Sequence, residues 1–307
     1  MPLISINVQS IIKKTVCAAV LTLLSIQIPA FATNLIQPYK LVSMPTAEIL
    51  PRAYLDVEMN YYASRAGYGS GLLAGLHVGL TNRLMFGVSY GGEGLIGHSG
   101  DIRLNTFRDV IYPGVLVKYR LVEEGAVPPA VTLGFDNQGY GGMASEGVYG
   151  YDGYIYKAPG FFAAASKSYM MMSALQIGFH GTLNWAIEKY NDNDWGWANH
   201  FNIMLGTDIA INEELMVVVE YDFAFNDATG SKNETRPIND PKYFTPLGGF
   251  LNIGVRWALT QNFHIQADFR DILENKLSRS GMASGGLERW APIGWSRELK
   301  VIYVTQF

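Results

Sequence analysis

The sequence is poor in cysteine, in charge and in long apolar runs. Its 307 residues include a single cysteine, Cys17, and only 16% are charged. Cys17 lies in the N-terminal apolar run, so the chain after that run can form no disulfide. Beyond the run there is no uncharged apolar stretch of about 18 residues, which argues against a membrane-spanning helix. Lysine and arginine number 23 against 27 acids, a net charge of -4 that argues against nucleic acid as a partner.

Motifs for catalysis and cofactor binding are also missing. The chain has no Gly-x-Ser-x-Gly elbow, no zinc-ligand spacing and no phosphate-binding loop. A membrane-facing Ser–His pair would need an outward histidine near a barrel rim, and strand alternation places none there. Asp192-Asn193-Asp194 has the oxygen ligands that suit calcium, but a solvated turn explains the same residues. We therefore expect a protein that is not an enzyme and holds no metal and no cofactor.

The N-terminus predicts export. Lys13 and Lys14 precede an apolar core over residues 16–28, and Ala30-Phe31-Ala32 forms an A-x-A cleavage site. These features predict a signal peptide over residues 1–32, followed by a periplasmic N-terminal segment over residues 33–51.

Alternating side chains predict twelve strands of about ten residues in the rest of the chain. The connections alternate between short and long, as do the periplasmic turns and outer loops of membrane barrels. We predict an all-β fold over residues 52–307, a transmembrane antiparallel up-and-down β-barrel of about 12 strands. The strands are expected at 52–62, 71–81, 83–92, 112–122, 129–137, 160–170, 173–186, 198–210, 213–226, 249–259, 262–271 and 296–307.

The two faces of these strands differ in chemistry. In the strand at 262–271, Phe263, Ile265 and Phe269 alternate with polar and charged residues. A soluble sandwich alternates too, but aromatic residues here cluster near the long-loop ends of the strands, as expected at a membrane–water boundary. We therefore expect the apolar face to contact lipid in the outer membrane of a Gram-negative bacterium. The aromatic residues are Tyr61, Tyr90, Tyr112, Trp185, Trp197, Phe225, Phe269 and Trp295.

The last strand resembles the closing strand of outer-membrane barrels. Leu299, Val301, Tyr303 and Phe307 share one face, and the sequence ends on the aromatic Phe307. An ordinary amphipathic edge strand is the alternative. The resemblance implies that Tyr303 and Phe307 form an assembly signal and that the barrel-assembly machinery is a partner.

The opposite faces predict a ladder of charges of both signs in the lumen. Such a ladder either closes the bore through salt bridges or lines a narrow polar channel and sets its selectivity. Luminal glycines leave room for an inserted plug or relieve crowding. The predicted ladder consists of Asp56, Glu58, Lys118, Arg120, Asp222, Arg256, Asp268, Arg270, Glu298 and Lys300.

A long loop between residues 139 and 159 is rich in tyrosine and glycine. Tyrosine rings on a flexible backbone suit stacking on sugars or other flat ligands, or a loop that folds into its own barrel mouth. The candidate contacts are Tyr140, Tyr149, Tyr151, Tyr154 and Tyr156.

Two short patches resemble YjbH-like outer-membrane proteins. One is Met44-Pro45-Thr46-Ala47-Glu48-Ile49-Leu50-Pro51, ahead of the first strand. The other runs from Leu133 to Gly142 and continues at Phe161-Phe162-Ala163-Ala164-Ala165-Ser166-Lys167. The resemblance implies a role in exopolysaccharide production or export, with polysaccharide as a partner.

Three functions follow as hypotheses. The first is a non-enzymatic barrel that assists envelope or exopolysaccharide production or export. The second is a narrow passive pore for small solutes, and the third is a barrel enzyme that acts on lipid or glycan.

Overall fold

A computed structural model describes most of the predicted strands. It covers residues 37–62, 70–96, 114–137, 143–144, 153–154, 160–171, 175–186, 201–224, 249–273, 277–280, 289–292 and 295–307. The predicted signal peptide at 1–32 lies outside these residues. Within them, no helix has the length and apolar character needed to cross a membrane.

Twelve antiparallel strands close into a barrel, in the order β1-β16-β13-β12-β11-β10-β9-β8-β5-β4-β3-β2. The predicted fold is therefore confirmed, and β1 pairs with β16 at the closure. Two short ribbons stand apart from the barrel, β6 with β7 and β14 with β15. The strands are β1 Tyr54–Tyr62, β2 Ser70–Gly79, β3 Leu84–Ile96, β4 Gly114–Val122, β5 Ala130–Asp136, β6 Met143–Ala144, β7 Gly153–Tyr154, β8 Gly160–Met171, β9 Leu175–Ala186, β10 Phe201–Ala210, β11 Leu215–Asp222, β12 Phe250–Ala258, β13 Phe263–Arg270, β14 Leu277–Ser280, β15 Arg289–Pro292 and β16 Ser296–Gln306.

Three of the short turns share one hydrogen-bonding device. In each, the side-chain oxygen of one residue near the start of the turn accepts hydrogen bonds from the backbone N–H groups two and three residues later. These bonds stabilise the turn without contacts from elsewhere in the chain. Thr81 does this between β2 and β3, Asn212 between β10 and β11, and Thr260 between β12 and β13. These turns mark one end of the barrel, called here the short-turn rim.

The two faces of the barrel separate as predicted. Along β9, Phe179 and Leu183 point outward and are about half exposed, whereas His180 and Thr182 between them are buried. Because successive side chains of a strand point to opposite faces, this pattern gives an apolar exterior and a polar interior.

Residues 37–50, called here the luminal segment, lie inside the barrel rather than beneath it. Leu41, Val42 and Met44 have no exposed surface. The expectation of a periplasmic segment at 33–51 therefore differs from the structure over residues 37–50. The segment joins β1 at the short-turn rim through Ala53, whose φ of 64° turns the chain. There the Ala53 N–H donates to the Gly79 carbonyl oxygen at 2.9 Å.

Candidate functional site

The luminal segment folds back on itself in a tight turn. Lys40 and Pro45 form an antiparallel bridge. The Leu41 N–H donates to the Met44 carbonyl oxygen at 3.0 Å, and the Thr46 N–H donates to that of Tyr39 at 3.1 Å. The turn over residues 41–44 thereby satisfies part of its own backbone and presents the remaining N–H groups to the barrel wall.

Those N–H groups converge on one carboxylate, that of Glu220 on β11. The N–H groups of Val42, Ser43 and Met44 lie 2.8–3.0 Å from its oxygens. The Ser43 hydroxyl and the Asn252 amide also donate to it, at 2.9 and 2.7 Å. Successive N–H groups form an anion-binding concavity, and an ionised acceptor strengthens each bond. Glu220 is therefore the strongest anchor of the turn.

Cationic and amide side chains bind the carbonyl side of the same turn. Lys300 Nζ donates to the Val42 carbonyl oxygen at 2.7 Å. Arg270 Nη1 donates to the Ser43 hydroxyl at 2.5 Å, and Gln266 donates to the Leu41 carbonyl oxygen at 3.2 Å. Anionic and cationic groups of the wall thus hold opposite sides of the turn.

A second group of donors holds the segment near its junction with β1. Lys118 Nζ, which has no exposed surface, donates to the carbonyl oxygens of Tyr39 and Glu48 at 2.7 and 2.5 Å. Arg120 pairs with the Glu48 carboxylate at 2.8 Å. The burial of Glu48 nevertheless raises the pKa of its carboxyl, because desolvation outweighs the nearby cations.

Hydroxyl groups on neighbouring strands bind the middle of the segment. Thr182 donates to the Pro45 carbonyl oxygen and Thr132 to that of Ala47, each at 2.6 Å. The Ala47 N–H in turn donates to the Ser166 hydroxyl at 2.8 Å. The wall therefore binds backbone groups in the middle of the segment as well as at its turn.

Two apolar clusters complete the packing. Apolar side chains on the otherwise polar luminal face meet those of the segment, and small residues make room for it. A Cβ at Gly206 would lie 2.3 Å from Leu41 Cδ1, and one at Gly79 would lie 1.9 Å from the Pro51 carbonyl oxygen. The first cluster is Leu41, Val42, Met44, Met204, Ala210, Met216, Val218 and Ala258. The second is Tyr39, Ala47, Ile49, Leu50, Met85, Leu116, Ala130, Phe162 and Ala164.

The Tyr39 hydroxyl lies among three ionisable side chains. Its oxygen is 3.2 Å from Asp56 Oδ1, 3.0 Å from Glu58 Oε2 and 3.0 Å from His77 Nδ1. Burial raises the pKa of Tyr39 well above its ordinary value, and both carboxylates add to this. The phenol therefore stays protonated, while Lys40 pairs with Glu58 at 3.2 Å.

A second buried chain of hydrogen bonds links Ser166, His180 and Asp208. Ser166 Oγ lies 2.7 Å from His180 Nδ1, and His180 Nε2 lies 2.5 Å from Asp208 Oδ1. These are the residue types of a hydrolytic triad. Strand alternation puts all three on luminal faces, so the sequence contained a signal for this cluster. However, the His180 ring contacts Ser166 through Nδ1. Ser166 Oγ also accepts a hydrogen bond from the Ala47 N–H. This geometry suits an anchor for the segment rather than a free nucleophile.

The predicted charge ladder divides between the wall and the segment. On the wall, Arg270 pairs with Glu298 at 2.5 Å and Lys300 with Asp268 at 2.7 Å. Arg256 donates to Gln266, and Asp222 accepts from Asn202. Asp56, Glu58, Lys118 and Arg120 contact the luminal segment, and so do Arg270 and Lys300. Strand alternation predicts luminal positions for these side chains but not the segment that six of the ten bind.

The remaining candidate residues lie elsewhere. Tyr154 is part of the short strand β7, and Tyr140, Tyr149, Tyr151 and Tyr156 lie outside the described residues. Tyr303 and Phe307 are exposed on the barrel exterior. Among the expected belt residues, Tyr61, Tyr90, Trp185, Phe269 and Trp295 are exposed, whereas Tyr112, Trp197 and Phe225 lie outside the described ranges.

Closed antiparallel topology, an apolar exterior and a polar interior define a transmembrane β-barrel of the Gram-negative outer-membrane type. Solved structures with a similar shape include Omp33 of Acinetobacter baumannii, at 10% identity and a TM-score of 0.41, covering 83% of this chain and 98% of that one. They also include the KdgM porin, at 8% identity and a TM-score of 0.38, covering 81% of this chain and 98% of that one. The NanC porin matches at 12% identity and 0.37, covering 82% and 99%. No family model matches the chain, and no curated protein does.

Proposed function

We propose that the protein is a non-enzymatic outer-membrane pore for small polar solutes, which its own luminal segment holds closed. The observation that carries this proposal is the occupancy of the lumen by residues 37–50, which hydrogen bonds and ion pairs hold against the wall. Water can replace these contacts when the segment withdraws, which leaves a polar, hydrated bore.

The size of the barrel supports a narrow passage. Barrels of about eight strands are filled by side chains, and those of about 16–18 strands leave a wide aqueous channel. Twelve strands enclose an intermediate space, which here accommodates one folded segment of chain. A bore of that size suits small solutes once the segment is displaced.

Polysaccharide is the second candidate ligand, implied by the resemblance to YjbH-like proteins. The patch Met44–Pro51 that carries half of this resemblance belongs largely to the luminal segment. In the described structure it contacts the barrel wall and other residues of its own segment. We therefore favour a role for this patch in closing the lumen over a direct contact with glycan.

Planar-bilayer recordings of the full chain test the proposal. The unmodified protein should conduct weakly or not at all, and Glu220→Gln should raise the open probability because it weakens the main anchor of the turn. Glu214→Gln, the same substitution in the exposed turn before β11, is the matched control and should leave conductance unchanged. A large, steady conductance in the unmodified protein would contradict closure by the segment, and a silent Glu220→Gln variant would contradict the pore.

A further inference from the structure

Three potential metal ligands converge on one point in the lumen. Asp56 and Glu58 are two residues apart on β1 and share its luminal face, and His77 lies opposite Asp56 on β2. Their ligand atoms all lie within 4.8 Å of one another, and all three side chains are buried. The Tyr39 hydroxyl oxygen occupies the point on which they converge, 3.0–3.2 Å from each.

A phenol is an incomplete partner for this set. The phenol carries one proton, and His77 Nδ1, which also lies 3.1 Å from Asp56 Oδ1, carries at most one more, whereas a cation attracts all three ligands at once. Two carboxylate oxygens and an imidazole nitrogen are a donor set that suits zinc and similar divalent transition metals. Closing from the present distances to a metal–ligand distance of about 2.0–2.2 Å requires each ligand to move by only about 1 Å.

The luminal segment supplies both groups that occupy the site in this structure. The first is the Tyr39 hydroxyl, and the second is Lys40, whose ammonium pairs with Glu58. Withdrawal of the segment removes both groups together and leaves two carboxylates facing one imidazole. Two wall cations line a small cavity beside the site. Lys300 pairs with Asp268 at 2.7 Å, and Arg256 donates to Gln266 at 2.7 Å.

A fourth side chain points to the same place independently. His264 on β13 is 1% exposed, and its Nε2 has no hydrogen-bond partner within the described part of the chain. It lines the same small cavity together with Tyr39, Asp56 and Glu58, with about 20 Å³ of space for water. That space holds about one water molecule, beside both His264 and the two carboxylates.

We propose that Asp56, Glu58 and His77 form a binding site for a divalent transition metal such as zinc, and that the Tyr39 hydroxyl substitutes for the ion while the lumen is closed. Metal and segment then compete for one position. An ion that binds only the open form shifts the population toward it. The coupling to opening rests on the proposed function, whereas the site itself does not.

Titration of the full-length protein in detergent micelles tests the site, with Zn²⁺ followed by calorimetry and Co²⁺ by its visible absorption. Tyr39→Ala vacates the position without requiring withdrawal, so it should bind Zn²⁺ at least tenfold more tightly than the unmodified protein. Adding His77→Ala should abolish that gain. Tyr61→Ala, the same substitution on the exterior of β1, is the matched control and should bind as the unmodified protein does.

Each variant is first checked for the heat-modifiable mobility of a folded barrel, and Tyr39→Phe, which removes only the hydroxyl, replaces Tyr39→Ala if the latter fails to fold. Equal Zn²⁺ affinity in Tyr39→Ala and Tyr61→Ala, or affinity that survives His77→Ala, would overturn the proposal. Conductance of Glu220→Gln in metal-free buffer is an independent readout. A pore without metal binding would therefore refute the site alone, and metal binding without conductance would refute the pore alone.

Discussion

Glu220→Gln should release the luminal segment by a predictable amount. Hydrogen bonds to a charged group contribute about 1.5–3 kcal/mol each, against about 0.5–1.5 kcal/mol for neutral pairs. Three backbone N–H groups depend on this carboxylate, so the gross loss is about 3 kcal/mol. Part is offset because a neutral amide is less costly than a carboxylate to bury on closure. The net change of about 1–3 kcal/mol predicts a rise of about 5- to 150-fold in the withdrawn fraction.

Thiol labelling measures that fraction directly. A cysteine at Val42, which has no exposed surface, reacts with a membrane-impermeant maleimide only after the segment leaves the barrel wall. When labelling is slow relative to reclosure, the rate follows the open population. In the Val42→Cys background, Glu220→Gln should accelerate labelling by the factor above, while Glu214→Gln should not. Identical rates in the two variants would show that Glu220 is not the anchor.

Three further outcomes follow from the barrel wall. Met59→Arg, on the exterior in the middle of β1, should destabilise the barrel in lipid by about 2–4 kcal/mol in a urea titration, whereas Leu80→Arg at the short-turn rim should cost about 0–1 kcal/mol. Deleting Phe307, which is 74% exposed, should lower the yield of heat-modifiable barrel in cells with little effect on the melting of the barrel that does assemble. Arg270→Ala leaves buried Glu298 without the guanidinium that pairs with it and should cost about 3–5 kcal/mol, measured as a lower unfolding temperature on gels.

The barrel was predictable from the sequence because its signal is repeated. Side chains alternate with period two along each of the twelve strands, and the connections alternate in length. Each repeat of these two patterns indicates the same topology. A single ambiguous strand therefore changes little. Individual luminal charges follow from the same parity. On β13 and β16, Arg270 pairs with Glu298, and Lys300 pairs with Asp268.

The luminal segment was not predictable in the same way because it has no period. Residues 37–50 form neither a helix nor a long strand, and their contacts are spread over many strands of the wall, from β1 to β16. Its signal lies instead in the wall. Met204 and Met216 place apolar surface on a face that should be polar, and Gly206 leaves a gap beside them. Together these residues form a surface that is complementary in shape and polarity to an apolar ligand.

The charges of the wall also indicate what role the segment has. A wall built only to fill its own lumen would pair its charges with one another, as Arg270 does with Glu298. Glu220 and Lys118 instead direct their charges mainly at backbone groups of the segment, and removing the segment would expose both side chains to water. The charges are costly to bury without that partner, and water satisfies them once the lumen is hydrated. The wall is therefore compatible with both a closed and a hydrated state, as a pore with a removable plug requires.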